Sequence, residues 1–265
     1  MHWVAEVGAA TSRTVAYVGG LAEISTKSLR LLFLSPLKPS RMLQRAVHEA
    51  MAVGVGAVPI VSLISFFVGV ILALQGAYEL QRLGAMQLVA GLVSVAITRE
   101  LGPLITAIVV IGRSGSAFAA EIGTMRVTEE LDALQTMALD PVAFLVVPKF
   151  LAMALMLPCL AIWADLMGVL GGGLFGVVGG GFTFGGYMLA TRDALFLRDI
   201  TSGVIKSLVF GMVITAVGCH EGFATGSGAE EVGRSTTSAV VISILLIILI
   251  DLIFTALFYL TRGGQ

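Results

Sequence analysis

The stretch from Ala50 to Tyr78 contains no charged residue and is almost wholly apolar. About 20 such residues are enough for a helix to cross the hydrocarbon core of a bilayer. The stretch therefore predicts a transmembrane helix and argues against a soluble fold. The rest of the chain agrees, because only 12% of its 265 residues are charged, whereas a soluble domain is about 25% charged.

Four further apolar stretches follow, and together they predict an all-α integral membrane protein with five transmembrane helices. The expected spans are 50–78, 85–112, 141–173, 200–219 and 235–259. Glycines recur at four-residue spacing from Gly168 to Gly180, and small residues at that spacing let helices approach closely in lipid. Residues 179–186 are too rich in glycine for a confident helix, so they predict a turn or a re-entrant connection.

The N-terminal residues 1–45 alternate basic side chains with apolar clusters. This pattern is typical of one or two helices that lie on a membrane surface, so we predict an N-terminal interfacial amphipathic helical region over 1–45. Ser35, Pro36 and Pro39 predict a break in it. A short soluble arm is the alternative, and no cleavable signal peptide is expected.

The segment between spans 2 and 3 is the longest charged stretch after the N-terminal region. Val127, Leu131, Leu134 and Ala138 recur at helical spacing, which predicts an amphipathic helix over about 121–138 at the membrane edge. Such a helix is suited to docking a soluble partner; the alternative is that it only lies on the lipid headgroups. The candidate docking residues are Glu121, Arg126, Glu129, Glu130 and Asp132.

The distribution of basic residues predicts the orientation. With five spans and a cytoplasmic N-terminus, the cytoplasmic side carries most of the Lys and Arg, as the positive-inside rule requires. These residues are Arg13, Lys27, Arg30, Lys38, Arg41, Arg45, Arg113, Arg126, Lys149 and Arg234. The outer side carries Arg82, Arg192, Arg198 and Arg262. The C-terminus is therefore expected outside.

Five charged residues fall inside the predicted spans: Arg99, Glu100, Asp165, Lys206 and Asp251. A charge in hydrocarbon normally faces protein or a wet cavity. Arg99 and Glu100 point about 100° apart on a helix and need not pair, whereas Lys206 could pair with Glu100 from another span. These three could form a polar patch in a central cavity or a structural ion pair; for Asp165 and Asp251 the structural interpretation is favoured.

Several function classes lack their signatures in this sequence. There is no phosphate-binding loop, no zinc-protease or serine-hydrolase motif, and no Cys/His ligand cluster. We therefore expect no catalytic residue, no metal site and no cofactor bound by this chain. A net charge of −1 offers no basic footprint for nucleic acid.

Two blocks of sequence resemble the signatures of the MlaE (YrbE) permease family. The first contains Thr98–Leu104, Gly112–Ala117 and Ala120–Leu134; the second contains Ile205–Ser207, His220–Gly222 and Gly233–Val241. They occur in the family's order. The resemblance extends over nearly the whole chain from about residue 40, which defines an MlaE-type permease domain over 46–265.

The resemblance implies a permease subunit of an ABC transporter in the inner membrane, without a nucleotide site of its own. It implies a homodimer, two separate cytoplasmic ATPase subunits that use ATP and Mg, and a periplasmic ring of Mce-domain proteins. A small accessory cytoplasmic subunit is a further candidate partner. The implied substrates are phospholipids or related lipids moving between inner and outer membranes. Residues 121–138 match the family's coupling helix, while Asp165 departs from the family pattern and receives no role.

An amphipathic substrate needs apolar walls for its tails and polar groups for its head. Phe67, Ile71, Leu74 and Tyr78 share one face of the first predicted helix and are the candidate walls, with Leu101 from the second span. Gln75 and Tyr78 are candidates for the headgroup near the outer mouth. Arg99, Glu100 and Lys206 would supply charge deeper in the protein.

Two other functions remain open on the sequence. One is an ion-coupled secondary transporter that uses Glu100, Asp165 or Asp251 as proton sites. Five spans without an internal repeat argue against it, because many such folds are built from paired repeats. The other is a non-transporting membrane scaffold of a complex.

Overall fold

The computed structural model describes the backbone of residues 2–34 and 39–262, with side chains at 12, 15–31 and 42–260. Every regular element in this part of the chain is helical. The α-helices are α1 (His2–Leu34), α2 (Pro39–Arg82), α3 (Val89–Ala96), α4 (Gly102–Val110), α5 (Ser116–Val127), α6 (Glu130–Thr136), α7 (Val147–Val178), α8 (Phe184–Ala194), α9 (Leu197–Phe223) and α10 (Ala229–Arg262). A 3-10 turn at Met86–Leu88 and π-turns at Ile97–Leu101, Ile111–Gly115 and Val142–Val146 connect some of them.

Five helical runs in the described residues are long and apolar enough to cross a bilayer, which confirms the five-span prediction. Spans 1 to 5 are Met42–Arg82, Met86–Val127, Val142–Val178, Leu197–Phe223 and Ala229–Leu260. All five extend past the C-terminal end of the apolar stretch that identified them. Hydrocarbon thickness limits the charge-free stretch, but the backbone hydrogen bonds of a helix can continue through the headgroup region into water.

Span 2 joins α3, α4 and α5 through two π-turns rather than forming a regular helix. In the first, the Gly102 N–H donates to the Ile97 carbonyl, five residues back. Pro103 follows and has no N–H for the Arg99 carbonyl, so the regular hydrogen-bond pattern is interrupted here. The widened turn contains Arg99 and Glu100, and π-turns of this kind often lie at functional sites.

The segment 121–138 is not the single helix that the spacing predicted. Residues up to Val127 belong to α5 and continue span 2, and a separate short helix, α6, begins at Glu130. Glu129 between them adopts a left-handed conformation with φ of 61°. One such residue ends a helix, and periodicity does not detect it because Leu131 and Leu134 remain buried on the far side of the break.

The N-terminal region forms α1 and the first part of α2. Leu21 and Ile24 of α1 pack against the buried cluster around Ile122, Phe150 and Cys219. Pro39 begins α2 instead of ending a surface helix, in agreement with the preference of proline for the first turn. Ser35, Pro36 and Lys38, and the side chains of Arg13, Arg41 and Arg262, lie outside the described residues.

The predicted close approach of glycines is confirmed in α7. Its Gly168 and Gly171 touch the backbone of α2, since a Cβ on Gly171 would lie 2.0 Å from the Phe66 carbonyl oxygen. Gly172 and Gly176 lie against the ring of Tyr187 from α8. The α2–α7 pair is therefore held by direct backbone contact, and α8 packs on the C-terminal half of α7.

Adding one methyl group at Gly171 should weaken this packing. Gly171→Ala forces α2 and α7 apart, and overpacking of this kind costs about 1–3 kcal/mol. We expect a lower melting temperature for the detergent-solubilised protein. Gly233→Ala is the matched control, because its new Cβ meets no atom within 4 Å. Equal melting temperatures for the two variants would contradict the backbone contact.

Candidate functional site

Lys206 lies at the centre of an ion cluster between spans 2, 4 and 5. Its side chain is 1% exposed, and its Nζ lies 2.5 Å from Glu100 Oε2 and 2.8 Å from Asp251 Oδ1. Nζ also donates to Thr255 Oγ1 at 2.9 Å, and that hydroxyl donates to Glu100 Oε1 at 3.0 Å. We call these four residues the Lys206 cluster. The predicted pairing of Glu100 with Lys206 is confirmed.

Glu100 is the carboxylate of this cluster with the most accessible side chain, at 34% exposed against 16% for Asp251. Lysine buried in hydrocarbon needs a compensating charge, and here it has two carboxylates. When both carboxylates are ionised, one balances the charge of the Lys206 ammonium and the other gives the cluster a net negative charge. Because Glu100 is the more exposed, that negative charge is available to a cation at the protein surface.

Arg99 points to a different partner. Its Nε lies 3.6 Å from Asp199 Oδ1, and the Asp199 side chain is 3% exposed. Asp199 Oδ2 also accepts the Phe196 N–H at the start of α9, at 3.1 Å. A carboxylate is favoured at a helix N-terminus, so Asp199 is fixed by α9 and orients Arg99, whose own side chain is 27% exposed.

A second buried lysine occupies the opposite end of the spans. Lys149 is 1% exposed, and its Nζ lies 2.6 Å from Glu49 Oε1 and 2.7 Å from Glu121 Oε2. The same Nζ lies 4.7 Å from the centre of the Phe118 ring, within cation–π range. We call Glu49, Glu121 and Lys149 the Lys149 cluster; it joins α2, α5 and α7.

The four predicted wall residues of α2 form one exposed apolar face. Phe67, Ile71, Leu74 and Tyr78 are 54%, 51%, 47% and 59% exposed. Gln75 beside them is also exposed. At the C-terminal end of this face the Arg82 guanidinium donates to the Tyr78 hydroxyl and lies 4.4 Å from the centre of its ring.

The structure does not bring all predicted lipid contacts together within one chain. Leu101 packs instead on the opposite, buried face of α2, which contains Ala73 and Ala77. Ile97 contacts Gly168, which also lies against Ser65 of α2, so the first π-turn is level with the Phe67 end of the exposed face. The apolar face and the charged residues therefore lie at related depths, but on different helices.

The predicted docking residues divide into two groups. Glu121 and Arg126 point back to the protein: Glu121 joins the Lys149 cluster, and Arg126 Nε donates to the Thr225 carbonyl at 3.0 Å. Glu129, Glu130 and Asp132 are exposed. A cavity of about 300 Å³ lies between this second group and the 225–228 loop, and its lining includes Arg126, Glu129 and Asp132.

Asp165 is the remaining charged residue inside a span. Its Oδ1 is buried without a hydrogen-bond partner and packs on Gly102, where a Cβ would lie 1.8 Å from that oxygen. Glycine at position 102 therefore provides the room for the carboxyl group. No basic residue of the described chain forms an ion pair with Asp165 within 4 Å.

Sequence reasoning missed the partners that come from distant segments. Asp199 and Thr255 carried no sequence signal beyond their polarity, and Glu49 lies just before the first apolar stretch, where a charged residue is ordinary. The one available signal was Lys149 itself, a lysine eight residues into the predicted third span. A buried lysine demands a carboxylate, although the sequence does not say which.

Comparison with known proteins places the chain in a family. The family model described as Permease MlaE matches residues 46–257, from within α2 to within α10. A probable ABC transporter permease protein of Rickettsia prowazekii is 40% identical over 225 residues, covering 85% of this chain and 87% of that protein. The intermembrane phospholipid transport system permease protein MlaE of Haemophilus influenzae is 34% identical over 214 residues, covering 80% and 82%. The chloroplastic protein TRIGALACTOSYLDIACYLGLYCEROL 1 of Arabidopsis thaliana is 40% identical over 203 residues, covering 77% and 58%.

The Lys206 cluster predicts unequal effects for two neutralising substitutions. Glu100→Gln leaves Lys206 paired with Asp251, so the protein should keep its yield and melting temperature. Lys206→Met leaves Glu100 and Asp251 without their cation, and breaking a buried pair in this way costs about 3–5 kcal/mol. We expect Lys206→Met, but not Glu100→Gln, to have a clearly lower melting temperature in detergent.

Arg234→Met provides the control for removal of a cation. Arg234 pairs with Glu231 at 3.7 Å, and its side chain is 81% exposed, so its loss should have little effect on stability. If Lys206→Met melted at the temperature of Arg234→Met, the cluster would not contribute to stability.

Proposed function

Because the chain belongs to the MlaE permease family, we propose that it is the membrane-spanning permease subunit of an ABC transporter that moves phospholipids or related lipids between inner and outer membranes. The observation that carries this proposal is the pairing of an exposed apolar face on α2 with partly exposed charges, Arg99 and Glu100, in span 2. An amphipathic substrate requires both kinds of surface. The Haemophilus influenzae relative is a permease protein of an intermembrane phospholipid transport system.

Arg99 and Glu100 offer opposite charges to a headgroup. A phosphate would approach the Arg99 guanidinium, which suits phosphate oxygens, and an amine would approach Glu100. Asp199 forms an ion pair with Arg99, and Lys206 forms one with Glu100, so both charges are oriented before a lipid binds. The acyl chains would lie along Phe67, Ile71 and Leu74.

The proposed orientation places the N-terminus in the cytoplasm. Lys27 pairs with Asp140 at 2.9 Å, and Arg126 bonds to Thr225, so α1, the segment after α6 and the 225–228 loop share one end of the molecule. This end carries most of the basic residues, in agreement with the positive-inside rule. The C-terminal end of α10 would then face the periplasm.

ATP hydrolysis would take place in a separate ATPase subunit docked at the cytoplasmic end. Glu129, Glu130 and Asp132 are exposed there beside the cavity described above. ATP and Mg would be used by that partner. The family resemblance adds a periplasmic ring of Mce-domain proteins, and a small accessory cytoplasmic subunit as a further candidate.

The outward face of α10 supports assembly as a homodimer. Leu245, Leu249 and Leu252 are 62%, 53% and 65% exposed, and span 5 is the least buried of the five within the chain. A second copy packed here would cover part of this face.

The ion-coupled alternative is less well supported. Two of its three candidate proton sites, Glu100 and Asp251, already form ion pairs with Lys206, which gives them a structural role. Asp165 alone has no such partner. Transfer of lipid that persists in vesicles lacking the ATPase would favour this alternative over the ABC permease.

Polar substitution on the α2 face should reduce lipid binding. Leu74→Gln introduces an amide into the surface proposed to contact acyl chains, so we expect less phospholipid to copurify with the detergent-extracted complex, as measured by lipid mass spectrometry. Leu166→Gln on α7 is the control, with an exposure of 49% against 47%. Equal lipid content in both variants would contradict the proposed wall.

Charge reversal in the docking segment should separate the subunits. Glu129→Lys with Glu130→Lys places two positive charges on the proposed contact, and we expect loss of ATPase co-purification from a permease with normal yield. Glu79→Lys is the control: it reverses an exposed charge near the C-terminal end of α2, outside the docking segment, and should not affect co-purification. Undiminished co-purification in the double variant would exclude these residues from the interface.

A further inference from the structure

Span 2 carries two carboxylates, Glu100 in its first π-turn and Glu121 near its C-terminal end, and each is held by a buried lysine from another span. Glu100 meets Lys206 of α9, and Glu121 meets Lys149 of α7. At about 1.5 Å per residue the two glutamates lie roughly 31 Å apart along the helix. Each lysine has a second carboxylate on a further helix, Asp251 on α10 or Glu49 on α2.

The two clusters connect span 2 to different parts of the molecule. The α5 portion of span 2 packs mainly on α9 and α10, whereas α2 packs mainly on α7. The Lys149 cluster is the ionic contact between these two parts at the end where α5 leads into the docking segment. Its other carboxylate, Glu49, belongs to the helix that carries Phe67, Ile71 and Leu74.

The arrangement tolerates movement without leaving a charge unpaired. Lys149 is 1% exposed, while the side chains of Glu49 and Glu121 are 23% and 48% exposed. If Glu121 withdraws into water, Lys149 keeps its ion pair with Glu49. An unpaired buried charge is strongly destabilising. The second carboxylate prevents that outcome, whereas a lysine with a single carboxylate partner would be left unpaired.

We propose that Lys149 is a positioning residue that transmits movement of the ATPase-docking segment to α2 through Glu121 and Glu49. The inference rests on the proposed function, and it reassigns Glu121 from a docking contact to an internal connection. Lys149 would in this way couple ATP hydrolysis to movement of the lipid-contacting face of α2. Docking itself depends on the exposed residues from Glu129 onward.

The test uses the assembled complex in phospholipid vesicles and measures two rates, ATP hydrolysis and ATP-driven transfer of a fluorescent phospholipid. Glu121→Gln and Glu49→Gln each break one connection while leaving Lys149 with one carboxylate, so both variants should fold. We expect ATPase co-purification to be retained and the lipid transferred per ATP to fall about fivefold or more, the lower range of allosteric coupling. Glu231→Gln, which removes the exposed partner of Arg234, should leave this ratio unchanged.

Four results would overturn the inference. An unchanged ratio in both variants would show that the connection carries no coupling. Loss of ATPase co-purification in Glu121→Gln would show that Glu121 is part of the docking surface. A lower melting temperature with an unchanged ratio would assign the cluster to stability alone. A wild-type complex without ATP-driven lipid transfer would overturn the proposed function, and the inference with it.

Discussion

A charge that enters the hydrocarbon of a bilayer must find its countercharge inside the protein, and this requirement organises the polar structure of the molecule. Unpaired, such a charge costs at least about 2.5–3.5 kcal/mol at the centre of a span. Lys149 and Lys206 meet the requirement with two carboxylates each. Since the partners come from different helices, each lysine also fixes the relative positions of three spans.

The remaining stability comes from close packing rather than from the hydrophobic effect, because lipid is as apolar as the helix surfaces it would replace. Gly168 and Gly171 allow α7 to touch the backbone of α2, and Gly172 and Gly176 receive the ring of Tyr187. Burial raises the pKa of Tyr187 to about 12, so its hydroxyl stays neutral. The packing leaves the outward faces of α2 and α10 free for lipid or another subunit.

A carrier for lipids must combine rigid helices with surfaces that can change their surroundings. The first π-turn of span 2 presents Arg99 and Glu100, and the second lies between the Lys206 and Lys149 clusters. The clusters hold span 2 at two separate points, while the exposed carboxylates allow one ion pair to open without leaving a lysine unpaired. The same side chains that pair the charges within the membrane are thus suited to connect the proposed docking end with the proposed lipid-contacting face.

The sequence alone determined the number of spans, the helical class and the family. The length of an apolar stretch shows whether a helix can cross the membrane, and motifs such as Thr98–Leu104 can be compared with a family position by position. It also identified Glu100 and Lys206 as partners, because few charges within the spans were available to pair. The tertiary structure alone decided that Arg99 meets Asp199, that Lys149 joins Glu49 to Glu121, and that a left-handed Glu129 divides the segment 121–138. Position in the sequence gives the depth of a charge along its helix, whereas its partner depends on the rotation and packing of helices, and these are set by contacts between segments far apart in the chain.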